Sequence, residues 1–180
     1  MIVNSANAVV DTYTPIVSGN AWSITVTAAQ AQALANGSYT IKADVSDGAG
    51  NQAPEATQTL TVDETAPAAP GVALTSDTGS SNSDHITNNP ALTLSGIETG
   101  AKVEYSLDGG TTWSTSAPTL AQLVQGSNTI DVRQTDVAGN VSSLTAFNFT
   151  LDTVTPAAPG VALTSDSGSS GSDHITNKPA

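Results

Sequence analysis

Apolar and polar residues alternate along much of this chain. In 39–46, Tyr39, Ile41, Ala43 and Val45 take one face while Thr40, Lys42, Asp44 and Ser46 take the other. The same period of two runs through Val103-Tyr105-Leu107, Ile130-Val132 and Phe147-Phe149-Leu151. A β-strand turns successive side chains to opposite faces, so the pattern predicts half-buried antiparallel strands. Turn sequences fall between them: SDGAGN, GIETGAK, LDGGTTW and TDVAGN. Short strands at this spacing predict an all-β sandwich. Across 66–154 the expected strands are 71–76, 91–96, 101–107, 111–115, 119–124, 128–135 and 141–151. The one helical segment, Thr27–Ala35, is short, rich in Ala and Gln, and stopped by Gly37. It reads as a turn or helical crossover between strands.

The pattern is also copied. Residues 66–91 (APAAPGVALTSDTGSSNSDHITNNPA) recur at 155–180 (TPAAPGVALTSDSGSSGSDHITNKPA), an offset of 89 that also relates Asp63 to Asp152 and DGAGN at 47–51 to DVAGN at 136–140. A period this long suits a whole small domain rather than a solenoid repeat. Three units are expected: the back of one at 1–65, a complete one at 66–154 and the start of a third at 155–180. Both ends read as cuts through domains, so the chain is expected to be a fragment of a longer array. The linkers ETAPAAP and TVTPAAP are short and Pro-rich, which predicts semi-rigid joints.

Charge narrows the partners. Sixteen acidic residues against 4 basic ones give a formal net charge of −12. Phosphate binding needs Lys and Arg, so nucleic acid is excluded as a partner. No apolar run reaches the length of a membrane span, so no membrane insertion is expected. Cysteine is absent, which removes disulfides, thiolate metal sites and cysteine nucleophiles. No nucleophile elbow, phosphate loop or dinucleotide fingerprint occurs. The two histidines, His85 and His174, read as surface-loop residues.

Two sets of oxygen-bearing residues are candidate cation sites. Antiparallel order places Glu98, the Asp136–Asn140 loop and the incoming Asp63 at one pole of the complete unit. Hard oxygen donors from several segments suit calcium. Asp47 and Asn51 repeat the loop in the first unit. The opposite pole holds Asp77, Asp84 and Asp152, and the third unit keeps the first two as Asp166 and Asp173. Asp and Asn side chains also close their own turns, so ordinary hairpin loops are the alternative. Trp22 and Trp113 read as core or edge aromatics, with a sugar-stacking platform as the alternative. Thr57, Thr59 and Thr61 line one strand face, as either plain outward β-formers or a flat hydroxyl ladder.

The TVD-x-T-x-P-x-x-P linkers, the SD-x-G-x-S-x-SD-x-ITN loop, the x-V-x-YS-x-DGG-TTW hairpin and the TD-x-AGN loop resemble tandem bacterial Ig-like repeats. Such repeats build giant surface adhesins and biofilm-associated proteins, many of them type I secreted. The resemblance covers nearly the whole chain. It implies tandem Ig-like antiparallel β-sandwich domains with Greek-key-type connections at the bacterial cell surface. It also implies a Ca²⁺-stiffened, non-enzymatic extender that contacts neighbouring repeats of its own chain. Surface glycans or other cells would be reached through domains outside this fragment. By motif, Asp63, Asp136 and Asn140 match the family's linker and loop positions, and Asp77, Asp84 and Asp152 its opposite-pole acids. The first unit departs from the pattern, with DTYTPIVSGNAW in place of the DGG-TTW hairpin. The rivals are a glycan- or ice-binding module and an accessory domain of a secreted glycan-active enzyme. Asp131 is expected mid-strand and facing solvent.

Overall fold

Alternation becomes strands in both larger units. The computed structural model describes residues 1–18 and 21–177. The first unit contains β1 (Ile2–Asn4), β2 (Val9–Asp11), β3 (Ile16–Ser18), β4 (Ala21–Ser23), the helix α1 (Ala28–Gln32), β5 (Gly37–Ala43) and β6 (Ala56–Val62). The second contains β7 (Gly71–Leu74), β8 (Ile86–Thr87), β9 (Leu92–Ser95), β10 (Lys102–Ser106), β11 (Gly126–Thr135) and β12 (Thr145–Leu151). The side chain of Trp22 and the last three residues of the expected third repeat lie outside the described residues.

The second unit is a two-layer sandwich. One sheet has the order β10-β11-β12-β8, and β7 pairs with β9 in the other. Ile130, Val132, Phe147, Phe149 and Leu151 form its buried core. Val72, Leu74, Leu92 and Leu94 cover them from the opposing sheet, and Val103, Tyr105 and Leu123 complete the packing. Each fully buried side chain of this kind contributes about 1.5–3 kcal/mol relative to exposure.

Several boundaries differ from the sequence expectation. Residues 119–124 hold a 3₁₀ turn at Leu120–Gln122 instead of a strand. The cause is local: Gln122 Oε1 accepts hydrogen bonds from Thr119 N at 2.9 Å and Thr119 Oγ1 at 2.8 Å. This T-x-x-Q box recurs before α1, where Gln30 Oε1 accepts from Thr27 N at 3.0 Å and closes the helix start. The strand expected at 111–115 shrinks to a single bridge from Ser114 to Tyr105, and that at 141–151 begins at Thr145. The loop between β7 and β9 contains β8, which pairs in parallel with the end of β12 through Thr150↔Ile86 and Leu151↔Thr87. Asp131 does not face solvent. It is 6% exposed, because β11 has neighbours on both sides, Ser106 (itself buried) and Ala146.

The first unit repeats half of this arrangement. Its sheet has the order β2-β1-β5-β6, and Gly37↔Val62 reproduces the Gly126↔Leu151 register 89 residues on. Ile2, Leu34 and Tyr39 are buried, with Tyr13, Ile41, Leu60 and Val62 packed against them only in part. Among the described residues, no strands equivalent to β7 and β9 cover this sheet. Ile41, Leu60 and Val62 are therefore half-buried, whereas their counterparts Ile130, Phe149 and Leu151 are buried.

This difference predicts unequal core energetics. Ile130→Ala removes a side chain at 0% exposure and should cost about 2–5 kcal/mol, with loss of hydrogen-exchange protection across β11 and β12. Ile41→Ala, at the equivalent but half-covered position, should cost clearly less.

Candidate functional site: the interdomain joint and the acidic loops

The chain between the two domains is docked onto the second domain. Pro67 and Pro70 are buried. Gln134, buried on β11, donates from Nε2 to Ala68 O at 2.7 Å and to Gly96 O at 3.0 Å. Its Oε1 accepts from Glu98 N at 2.9 Å. Thr145 Oγ1 donates to Pro70 O at 2.6 Å, and Asn140 Nδ2 donates to Asp63 O at 2.9 Å. One amide thus ties together the linker, the turn before β10 and the central strand. Fixed φ at the prolines limits the alternatives open to the linker.

Both D-x-A-G-N loops close on themselves. Asp136 Oδ1 accepts from Gly139 N at 2.7 Å and Asn140 N at 2.8 Å, and Oδ2 accepts from Asn140 Nδ2 at 2.8 Å. Asp47 is held alike by Ala49 N and Asn51 N, each at 2.9 Å, and by Asn51 Nδ2 at 2.8 Å. Gly50 and Gly139 supply the left-handed conformation the turn requires, with φ of 89° and 100°. The Asn140 side chain, then backbone N–H groups, hold the Asp136 carboxyl below its ordinary pKa. Asn51 does the same for Asp47.

Asn140 joins the Asp136 loop to the Asp63 backbone, and the Glu98 N–H is bonded to Gln134, two residues before Asp136. The Asp63 carboxylate is turned to its own linker, where it accepts from Thr65 N at 3.0 Å. At the opposite pole Asp77 Oδ2 accepts from His85 N at 2.9 Å, and Asp84 Oδ1 accepts from Ile86 N at 3.0 Å. Asp152 N donates to Thr87 O at 3.0 Å, while the Asp152 carboxylate caps Val154 N at 3.0 Å. Among the described residues, no three His, Asp or Glu side chains are grouped so as to hold a metal ion by themselves.

One feature of the second pole is unsatisfied. Asp77 Oδ1 is buried without a hydrogen-bond partner, and so is Asp166 Oδ1, its copy in the third repeat. The copy also keeps the bonds from His174 N to Asp166 Oδ2 and from Ile175 N to Asp173 Oδ1, both at 3.0 Å. His85 and His174 share the left-handed conformation, with φ of 58° and 59°. A loop of a dozen residues thus has one specific conformation in two copies, and an oxygen left without a donor in each. A buried carboxylate oxygen in that state suits a cation.

The remaining candidates have structural roles. Trp113 lies under the Arg133 guanidinium at 3.9 Å and donates from Nε1 to Gly110 O at 2.9 Å, so its ring is not an open sugar platform. Thr57, Thr59 and Thr61 are exposed on β6, but the equivalent positions 89 residues on are Ala146, Asn148 and Thr150, so the ladder is not copied. Pattern reading missed Gln134 and Thr145. The signal available for the joint was the Pro-x-x-Pro spacing, Pro67/Pro70 and Pro156/Pro159.

A family model described as bacterial Ig-like domain matches residues 1–64 and, in a second copy, 65–153. The chain belongs to the bacterial Ig-like domain family. Comparison with curated proteins gives no match. Two bacterial Ig-like domains stand in tandem, built mainly of antiparallel sheets, and the second is a two-layer β-sandwich. Members of the family are usually extracellular or surface-exposed, and the fold is generally non-catalytic. Among the described residues no helix is long and apolar enough to cross a membrane.

The turn carboxylates carry a pH prediction. Asp108 is held at about 2, against 3.8 for the free group, chiefly by the Thr112 hydroxyl and then by the Thr112 N–H and Ser106 hydroxyl. A depressed folded pKa contributes stability that is present above the unfolded value and lost as pH falls through the folded one. Melting temperature should therefore fall between about pH 4 and pH 2 as Asp47, Asp108 and Asp136 protonate. Asp108→Asn should melt lower near neutral pH and lose less over that acid interval.

Proposed function

We propose that this segment is a structural extender of a bacterial surface adhesin, a rod of Ig-like domains that holds a terminal adhesive domain away from the cell. The observation that carries the reading is the docked linker. Buried Pro67 and Pro70, and the bonds from Gln134, Thr145 and Asn140 to the incoming backbone, make this joint part of the domain that follows it. A chain whose linkers are built into its domains transmits force and direction. Its function in this reading is mechanical.

Calcium is the stiffening ion in this reading. The opposite-pole loop is the better fit, because Asp77 Oδ1 lacks any donor. Asp77 would hold the ion, with Asp84 and Asp152 as further candidate donors, and backbone carbonyls, hydroxyls and water would supply the remaining oxygen ligands. At the joint, Asp63, Glu98, Asp136 and Asn140 are the candidate donors. That site fits less well, because Asp136 already accepts three hydrogen bonds. The Asp47–Asn51 loop is closed in the same way and exposed. When bound, the ion supplies positive charge to a chain of net charge −12 and lowers repulsion between carboxylates brought together by folding. The glycan- or ice-binding reading has less support, since Trp113 is capped and the threonine ladder is not copied.

Calcium should raise the melting temperature and reduce the spread of particle dimensions in small-angle scattering, relative to chelator at equal ionic strength. A ligand specific to the folded state stabilises it by about 2.7 kcal/mol at a hundredfold excess over its Kd. Asp77→Asn should weaken the calcium response, and Asp44→Asn, on the exposed end of the first domain, should leave it intact. Identical curves with calcium and chelator would remove the ion from the mechanism. Separately, Gln134→Leu takes their partner from the Ala68 and Gly96 carbonyls and the Glu98 N–H, should cost about 1–3 kcal/mol, and should broaden the scattering dimensions with or without calcium.

A further inference from the structure

Each domain grips the chain that leaves it with one side-chain amide. Asn36 precedes β5; its Oδ1 accepts from Glu64 N at 2.7 Å, and its Nδ2 donates to the Thr65 hydroxyl. Gln125, at the equivalent place before β11, accepts from Thr153 N at 3.0 Å and donates to Thr153 Oγ1 at 2.6 Å. Asn36 and Gln125, like Glu64 and Thr153, are related by the offset of 89, so the backbone half of the grip is copied. The first joint is therefore held from both sides. Asn36 holds its start, and Gln134, Thr145 and Asn140 hold the linker against the second domain.

The two grips differ in their chemistry. Both amides are followed by glycine, Gly37 and Gly126, whose backbone nitrogen has no adjacent side chain to hinder attack on the preceding carboxamide. From asparagine that attack closes a five-membered ring. From glutamine it needs a six-membered ring, which closes far more slowly. Asn36-Gly37 is the one Asn-Gly pair in the sequence. In the docked joint neither group is free to react. The Asn36 amide is held at both ends by the linker, and Gly37 is paired with Val62 at the end of the β5–β6 ladder. Val62, Glu64 and Thr65 belong to one short outgoing segment, so its release frees the amide and the glycine together. Asn36, Gly37, Glu64 and Thr65 are all exposed, and a strand end of this kind is where local opening costs least.

We propose that Asn36 is a deamidation site that converts undocking of the first joint into a permanent change. On release, Gly37 N attacks Asn36 Cγ. The N–Cγ bond forms, the Cγ–Nδ2 bond breaks, and the Gly37 proton leaves with the departing nitrogen as ammonia. Water then opens the cyclic imide at either carbonyl, giving aspartate or isoaspartate. Water is the only co-reactant, and nothing is oxidised or reduced. Either product lacks the amide donor and sets a further negative charge beside Glu64 and Asp63, which repel it. The isoaspartate also lengthens the backbone by one carbon just before β5. Redocking is weakened at this joint, whereas the Gln125 grip opens and closes reversibly. The inference needs no cation and stands apart from the calcium mechanism and from the extender reading.

Ageing of the full chain at mildly alkaline pH in chelator, followed by peptide mass mapping and isoaspartate labelling, tests it. Conversion at Asn36 should outpace that at every other asparagine. Thr65→Val removes the hydroxyl to which Nδ2 donates, and should speed conversion about two- to tenfold, the change in open population expected for one hydrogen bond. Asn36→Gln keeps the grip in the form the second domain uses. It should stay unconverted at that position, and its small-angle scattering should not change on ageing. The aged parent and fresh Asn36→Asp should both show broader particle dimensions than the fresh parent. An Asn36 that remains an amide in both the parent and Thr65→Val overturns the proposal. So do equal rates in those two chains, or an aged, converted parent whose dimensions match the fresh one.

Discussion

An apolar sheet face must be covered, and most of this structure follows from how far each unit meets that requirement. The second domain meets it with a four-stranded and a two-stranded layer, and its central residues Ile130 and Val132 reach 0% exposure. The first has the larger layer without the smaller one, and the residues at the same register remain half-buried. Residues 160–163 repeat the GVAL sequence of β7 but form no strand. One local sequence thus has two outcomes, according to what packs against it. Intrinsic strand preference is a weak force beside packing against a partner.

Covering the sheet also organises the joint. Gln134 sits on the central strand among apolar neighbours, where an amide without partners would be destabilising. Its partners are backbone groups of the linker and of the turn before β10. The polar requirement of one core residue therefore fixes where the chain enters the domain. Thr145 and Asn140 add two further bonds to the same incoming segment. The course of the linker into the second domain is thus a consequence of core satisfaction.

The period of two, the turn sequences and the 89-residue copy carried the sandwich class and the placement of β7, β9, β10, β11 and β12. The losses have physical causes. Residues 119–124 are apolar enough for a strand, but the Thr119–Gln122 box closes a turn there, and the T-x-x-Q signature for it was present. β8 was hidden because two residues carry no periodicity, and its pairing is to a strand sixty-odd residues away. Asp131 obeys the alternation yet is buried, because a central strand has neighbours on both edges. Which carboxylate oxygen lacks a partner was not legible, since that depends on backbone N–H groups the pattern cannot locate.

That last distinction bears on how carboxylates are used here. Asp47, Asp108 and Asp136 each close a turn through several donors, which holds their pKa down and uses much of their accepting capacity. Asp77 and Asp166 hold a longer loop with one oxygen and leave the other buried and bare. A turn carboxylate is complete within its own loop, so its contribution varies with pH and needs nothing from outside. The bare oxygen leaves a buried charge only half compensated, and water or a cation must supply what the protein does not. The D-x-A-G-N sequence is the more eye-catching motif, but the Ser/Asp loop after β7 is the one that leaves a buried carboxylate oxygen without a donor. The repetition of that state in the copy without a domain around it shows that the loop's own sequence produces it.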